Sequence, residues 1–113
     1  MEINSEIREN IIWVKVSGRM VLDQSLFRLR EQVLYGLESG IRRFVVDISE
    51  VSHLDSMGCG EAISIHTSIK RATGSLVFVN PPDHVRRLWA HTKLDTVLNI
   101  RDTSDAAREF IKR

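Results

Sequence analysis

The chain has 113 residues, and 36 of them are Leu, Ile, Val or Phe, far above the ~20% share below which chains stay disordered. That length fits one domain, residues 1–113, able to bury a core without disulfides or metals, and a single cysteine excludes an intrachain disulfide scaffold. Sixteen basic residues against 15 acidic ones leave a formal charge of +1 and a pI of about 8.0, short of the range above ~9 that marks a nucleic-acid binder.

The first ten residues, MEINSEIREN, place acids and polar groups where a signal peptide needs a positive start and an apolar run. The longest aliphatic or aromatic runs, Ile11–Val14 and Leu76–Val79, fall far short of the ~20 residues that a membrane span needs. The cytosol is the expected compartment.

Ile3 to Ile7 alternates apolar and polar residues, as an edge strand does. Ile12, Val14 and Val16 alternate with Trp13, Lys15 and Ser17 in a second strand that Gly18 is expected to end, and Asn10 turns the chain between the two. Asp23 reads as a helix N-cap, with Leu22 and Phe27 placed for a hydrophobic staple. Leu26, Leu29, Val33 and Leu37 follow at helical spacing until Gly40. Phe44 to Ile48 reads as a strand buried on both faces, followed by a polar loop. A second helix starts near Asp55 or Ser56, carries Cys59, Ala62, Ile63, His66 and Ile69 on one spacing, and ends at Gly74. Leu76 to Val79 is a buried strand, and Asn80-Pro81-Pro82 a turn. Asp83 is expected to cap a short helix bearing Val85, Leu88 and Trp89. Val97 to Ile100 reads as a last strand, and Ser104 caps a terminal helix with Ala107, Phe110 and Ile111.

The order β-β-α-β-α-β-α-β-α predicts an α/β fold: a mixed, mainly parallel sheet of about five strands with four helices and an antiparallel leading hairpin. In such sheets function gathers at the carboxyl ends of strands, where helices begin. The segment after Ile48 lies there. Helix N-termini present unpaired N–H groups and favour anions, and Ser56 sits at one beside Asp55. Gly58 and Gly60 are costly in a helix, by about 1 kcal/mol each relative to alanine. Two readings stay open: Asp55 or Ser56 is only a cap and the glycines relieve packing, or a partner approaches this backbone closely.

Other chemistries find little support. No G-x-S-x-G, G-x-x-x-x-G-K-[ST] or G-x-G-x-x-G pattern is present. His53, His66, His84 and His91 show no metal-ligand spacing. Cys59 near a helix start reads as a buried structural cysteine, the rival being a redox-active thiol. Arg42-Arg43 and Arg86-Arg87 read as solvated faces, the second pair alternatively as part of a partner surface. Trp13 and Trp89 read as core or half-core residues.

Asp47-Ile48-Ser49 followed by Asp55-Ser56-Met57-Gly58-Cys59-Gly60 resembles the STAS domain, especially the bacterial anti-sigma factor antagonists, where a strand ending Asp-Leu-Ser leads to Asp-Ser-Ser-Gly-Leu-Gly at a helix start. Gly74 to Pro81, Val85-Arg86-Arg87-Leu88 and Thr92-Lys93-Leu94-Asp95 extend the likeness over nearly the whole chain. The resemblance implies a STAS-type fold and a non-enzymatic, phosphorylation-controlled partner switch. Ser56 is the implied phospho-acceptor, with Asp55, Ser56, Met57, Gly58 and Gly60 at the partner surface and no cofactor or metal. The implied partners are an anti-sigma factor that is also a serine kinase, bound by the unphosphorylated form so that a sigma factor is released, and a serine phosphatase. ATP, magnesium and the catalytic base then belong to the kinase. Met57 stands where the family has a small hydroxyl residue and Cys59 where it has leucine. The alternative that the family allows is a non-catalytic accessory subunit of a lipid-transport ABC system or a stress-signalling scaffold.

Overall fold

The structure, a computed structural model, describes residues 1–22 and 26–112. The expected cap Asp23 lies outside the described residues. Strands β1 (Glu2–Arg8) and β2 (Ile11–Met20) form the leading hairpin. Glu9 and Asn10 join them with φ of 56° and 62°, the double left-handed geometry whose twist suits a two-residue hairpin turn. Helix α1 (Leu26–Glu38) follows, then β3 (Arg43–Leu54), α2 (Ser56–Arg71), β4 (Ser75–Val79), α3 (Asp83–His91), β5 (Ile100–Arg101) and α4 (Ser104–Ile111). The strands lie in chain order, β1-β2-β3-β4-β5, with β1 antiparallel and the others parallel.

The sheet carries a core on each face. On one, Leu29 and Val33 of α1, Ile65 and Ile69 of α2, and Trp89 of α3 pack on Val14, Phe44, Val46 and Phe78. Trp89 meets Phe78 edge to face at 5.3 Å. On the other, Ala107 and Ile111 of α4 cover Ile11, Val45 and Val77. This is why Phe44 to Ile48 is apolar without alternation: the central strand is covered on both sides.

The strands depart from expectation in one informative region. β2 does not end at Gly18, and Ser49 to Leu54 is not a loop. Both strands run on together, pairing Ser17 with Glu50, Gly18 with Val51, Arg19 with His53 and Met20 with Leu54. β4 stops opposite Asp47, so beyond that point β2 and β3 project as a two-stranded ribbon. Twice, β3 inserts one extra residue against β2, between Asp47 and Glu50 and again between Val51 and His53. Such bulges bend a strand and raise its twist. The first is held by the Asp47 carboxylate, whose Oδ1 accepts a hydrogen bond from Ser49 N at 2.9 Å. Each extra residue also shifts the inward-facing register, so Ile48, Val51 and Leu54 contact one core although they are three apart.

The helix ends are built differently from the expected caps in several places. Gly40, at φ +90°, does end α1: Gly40 N donates to Leu37 O and Ile41 N to Gly36 O, closing the last turn. At the end of α2 the left-handed residue is Thr73, at φ 61°, not Gly74. Gly74 is required for another reason, since a Cβ there would lie 2.5 Å from Arg42 O. α3 is preceded by Pro82, with no side-chain cap, and Asp83 is its first residue. Thr103, not Ser104, caps α4, its Oγ1 accepting from Ala106 N at 3.1 Å. The last strand is displaced to Ile100–Arg101; Val97 follows a single 3₁₀ turn, Leu94–Thr96, and is exposed.

Two features of α2 bear on stability. A Cβ on Gly58 would stand 2.1 Å from Met20 O and 2.6 Å from Leu54 Cδ1, so the helix starts in direct contact with the ribbon's backbone. A Cβ on Gly60 would meet nothing within 4 Å. Gly58→Ala should therefore cost about 1–3 kcal/mol through overpacking against a carbonyl that has no rotamer to change. Gly60→Ala should instead stabilise the fold by up to about 1 kcal/mol, the helix-propensity difference. Urea unfolding of the two variants checks both signs.

His66 is buried on α2, and its Nδ1 has no hydrogen-bond partner among the described residues. Burial, with Lys70 nearby, lowers its pKa below the ordinary 6.5. As pH falls below 6.5 the unfolded chain takes up a proton that folded His66 resists, so the unfolded state binds more protons and stability declines. Thermal melts between about pH 7.5 and pH 5.5, one unit either side of the ordinary histidine value, should show Tm falling with acid, and His66→Leu should flatten that slope.

Candidate functional site

The projecting ribbon delivers the chain to the start of α2, and Asp55 organises the junction. Its backbone is extended, with φ −103° and ψ −177°, the usual geometry of an N-cap. Its Oδ1 accepts from Gly58 N at 2.8 Å and its Oδ2 from Leu22 N at 3.1 Å. One oxygen thus caps α2 while the other ties down the segment that leaves β2. These two backbone hydrogen bonds, Gly58 first and Leu22 second, lower the Asp55 pKa below the ordinary 3.8. The carboxylate is ionised at neutral pH, but its acceptor capacity is directed inward to the backbone.

Ser56, the first residue of α2, is exposed. Among the other serines of this segment, Ser49 is half-buried and its amide is engaged by Asp47, whereas Ser52 is exposed on the ribbon with its Oγ 3.2 Å from His53 Nδ1. Met57 and Leu22 are large apolar residues left open to solvent at 47% and 60%, and Asp55 binds the neighbourhood of both. The staple expected between Leu22 and Phe27 is not a buried contact, since both side chains are exposed. Gly60 is exposed as well, four residues after Ser56 and so on the same side of the helix. The structure therefore separates the two glycines. The close approach at Gly58 is made by the chain's own Met20 carbonyl, whereas no group of the described residues crowds Gly60.

Cys59 is buried, and burial raises its thiol pKa above the ordinary 9.0, the opposite of what an activated thiolate needs. Behind the helix start, Glu61 is buried at 4% exposure and receives a two-pronged contact from Arg30 of α1: Nε to Oε1 at 2.7 Å and Nη2 to Oε2 at 2.9 Å. Arg30 Nη2 also reaches Ser64 Oγ at 3.2 Å. This clamp fixes α2 against α1, and nothing in the spacing of Arg30 and Glu61 announces it.

A shallow groove of about 670 Å³ lies beside Asp55, lined by Arg19, Leu22, His53 and His84 among others, and no local pattern in the chain points to it. Arg19 and His53 meet there because they are cross-strand partners in the ribbon. The remaining candidates take structural or surface places. His91 is exposed on α3. Arg42 donates to Leu37 O and Ile41 O, and Arg86 to Pro81 O and to Asp102, so each basic pair has one member engaged with its own fold. Trp89 is buried and Trp13 half-buried. Among the described residues no group of three or more His, Cys, Asp or Glu is placed to hold a metal ion, and no helix is long and apolar enough to cross a membrane.

Comparison with known proteins agrees with this architecture. A Thermotoga maritima protein provisionally named an anti-sigma factor antagonist is 31% identical over 77 residues, 68% of each chain. The crystal structure of a T. maritima protein of the same provisional name superposes with a TM-score of 0.84 at 23% identity, covering 98% of this chain and 95% of that one. The phosphorylated form of the Bacillus cell fate determinant SpoIIAA superposes with a TM-score of 0.73 at 16% identity, covering 97% and 99%. The STAS domain matches residues 2–107, and the chain belongs to that family.

Proposed function

We propose that this protein is a phosphorylation-controlled partner-switching regulator with Ser56 as its phospho-acceptor. The observation that carries the reading is the presentation of Ser56: exposed at the start of a sixteen-residue helix, on a junction that Asp55 holds by two backbone hydrogen bonds. A hydroxyl so placed can enter the active site of another protein without any rearrangement of its own fold. Asp55 is not placed as a catalytic base, because both its oxygens accept from backbone N–H groups. The chain is thus a substrate and a docking surface rather than an enzyme, and ATP, magnesium and the base come from the partner. The names of the relatives point to an anti-sigma factor as that partner; in this reading it is also the serine kinase, bound by the unphosphorylated form so that a sigma factor is released. A serine phosphatase resets the switch, and the setting is the cytoplasm.

The switch acts through charge. A phosphoserine carries about −1.5 to −2 charges at neutral pH. In the free domain the N-terminus of α2 favours that charge, so the fold has no reason to change. Against a partner the phosphate loses solvent beside the ionised Asp55. Two like charges ~4 Å apart repel by about 4 kcal/mol at an effective dielectric of 20, and each 1.4 kcal/mol is about tenfold in affinity. Leu22 and Met57 supply the apolar contact, and Gly60 leaves the helix surface open to a partner's backbone.

Incubation with a cognate anti-sigma kinase, ATP and magnesium should add one phosphate, mapped by mass spectrometry to Ser56. Ser56→Ala should abolish it, and a mark that persisted on Ser49 or Ser52 would overturn the assignment. Ser56→Asp should retain its melting behaviour and lose at least tenfold in partner affinity, whereas Ser56→Ala should bind and resist switching. Gly60→Leu should also lose at least tenfold in affinity while its unfolding midpoint stays at or above that of the parent. A parallel loss of stability would mean that Gly60 acts through the fold.

A further inference from the structure

The free edge of β1 is seven residues long, and all seven pair with β2 on the other side without a bulge. Such an edge presents unpaired N–H and C=O groups and usually carries a proline, a bulge or lysines that prevent pairing. β1, reading Glu2-Ile3-Asn4-Ser5-Glu6-Ile7-Arg8, has none of these. Its sequence is instead complementary to itself. In an antiparallel pairing of two copies centred on Ser5, Glu2 stands opposite Arg8 of the second copy, Ile3 opposite Ile7, and Asn4 opposite Glu6. Slipping by one residue places Ile3 opposite Glu6 or Arg8, so a single register satisfies both faces.

We propose that β1 forms a two-fold interface between two copies of this chain, joining their sheets into one. The two faces of the strand support the same pairing. On the α1 face, Ser5 Oγ donates to Gln32 Oε1 at 3.0 Å, and Ile3 packs against the core. Ile7 lies on that same face yet is 57% exposed; the second copy's Ile3 covers it. A helix joining parallel β2 to β3 runs back against them, and so alongside β1 in the same sense. Tyr35, three residues beyond Gln32, therefore reaches the same end of the edge as Ile7, and it is 65% exposed. The two-fold places both residues at the seam. On the opposite face Arg8 is held over the Trp13 ring at 4.6 Å and pairs with Glu6 at 2.9 Å. The seam brings Glu2 of the other copy to it, giving two such charge pairs per dimer. One strand pair and its flanks make a small interface, so the dimer forms and dissociates with concentration.

Sedimentation velocity over a dilution series reads this directly. The parent protein should pass from monomer to dimer as concentration rises. Glu2→Arg places like charges opposite each other and should raise the dimerisation midpoint at least tenfold; Arg8→Glu should do the same. Mixing the two variants restores both charge pairs in a heterodimer, so the mixture should dimerise near the parent's midpoint. Ile7→Glu, on the other face, should also raise the midpoint at least tenfold, which keeps the test open if Arg8→Glu fails to fold after losing Trp13. A parent that stays monomeric up to about 1 mM, the scale of a −4 kcal/mol association, overturns the proposal. So does a dimer whose midpoint moves with neither Glu2→Arg nor Ile7→Glu.

Discussion

The candidate site depends on one carboxylate. Asp55 joins two segments that the sheet alone does not hold together: the chain leaving β2 at Leu22 and the first turn of α2 at Gly58. Each oxygen has one backbone donor, so replacing the side chain with alanine leaves two amides to find other partners. The geometry is close-set. Gly58 must lack a side chain because the helix start touches the Met20 carbonyl, and that contact exists because β2 runs beside β3 for its full length. Sequence, ribbon and helix start constrain one another, and Ser56 is exposed as a consequence.

The two bulges in β3 set where that start points. Without the first, the alternation that buries Phe44, Val46 and Ile48 would turn Val51 outward; with the first alone, Leu54 would turn outward. With both, the ribbon keeps its inner face on the core while bending beyond the reach of β4. Asp47 stabilises the first bulge through the Ser49 amide. The Asp-Ile-Ser and Asp-Ser-x-Gly parts of the sequence pattern therefore serve one architectural end, the first aiming the ribbon and the second terminating it. Behind them, the Arg30–Glu61 clamp fixes α2 to α1, so the proposed docking surface is already in place.

Much of this is legible from the residues. The hairpin, the parallel order and the helical faces follow from alternation, from three-and-four spacing and from glycine at Gly40. Asp55 and Ser56 stand out because a cap and two glycines fall just past a buried strand. The differences between expectation and structure have physical causes. A two-stranded ribbon open to solvent need not be apolar, and bulges convert two-residue alternation into the Ile48, Val51, Leu54 spacing that does not resemble a strand. Gly18 and Gly74 look like stops because glycine often ends elements; here one lies within β2 and the other relieves contact with the Arg42 carbonyl. The Arg30–Glu61 clamp and the groove of Arg19, His53 and His84 arise from tertiary approach, which no local pattern encodes.

In the proposed switch, phosphate at Ser56 changes what the site binds and not how it folds. Residue-resolved amide hydrogen exchange on the protein before and after phosphorylation tests it most directly. The amides of Leu22 and Gly58 report the two Asp55 hydrogen bonds, and those of Ala62 to Ile69 report the body of α2. All should retain their protection within about threefold, under 1 kcal/mol, with changes confined to Ser56 and its immediate neighbours. Loss of protection at Leu22 and Gly58, or along α2, would show that the phosphate dismantles the Asp55 junction, and the switch would then be conformational.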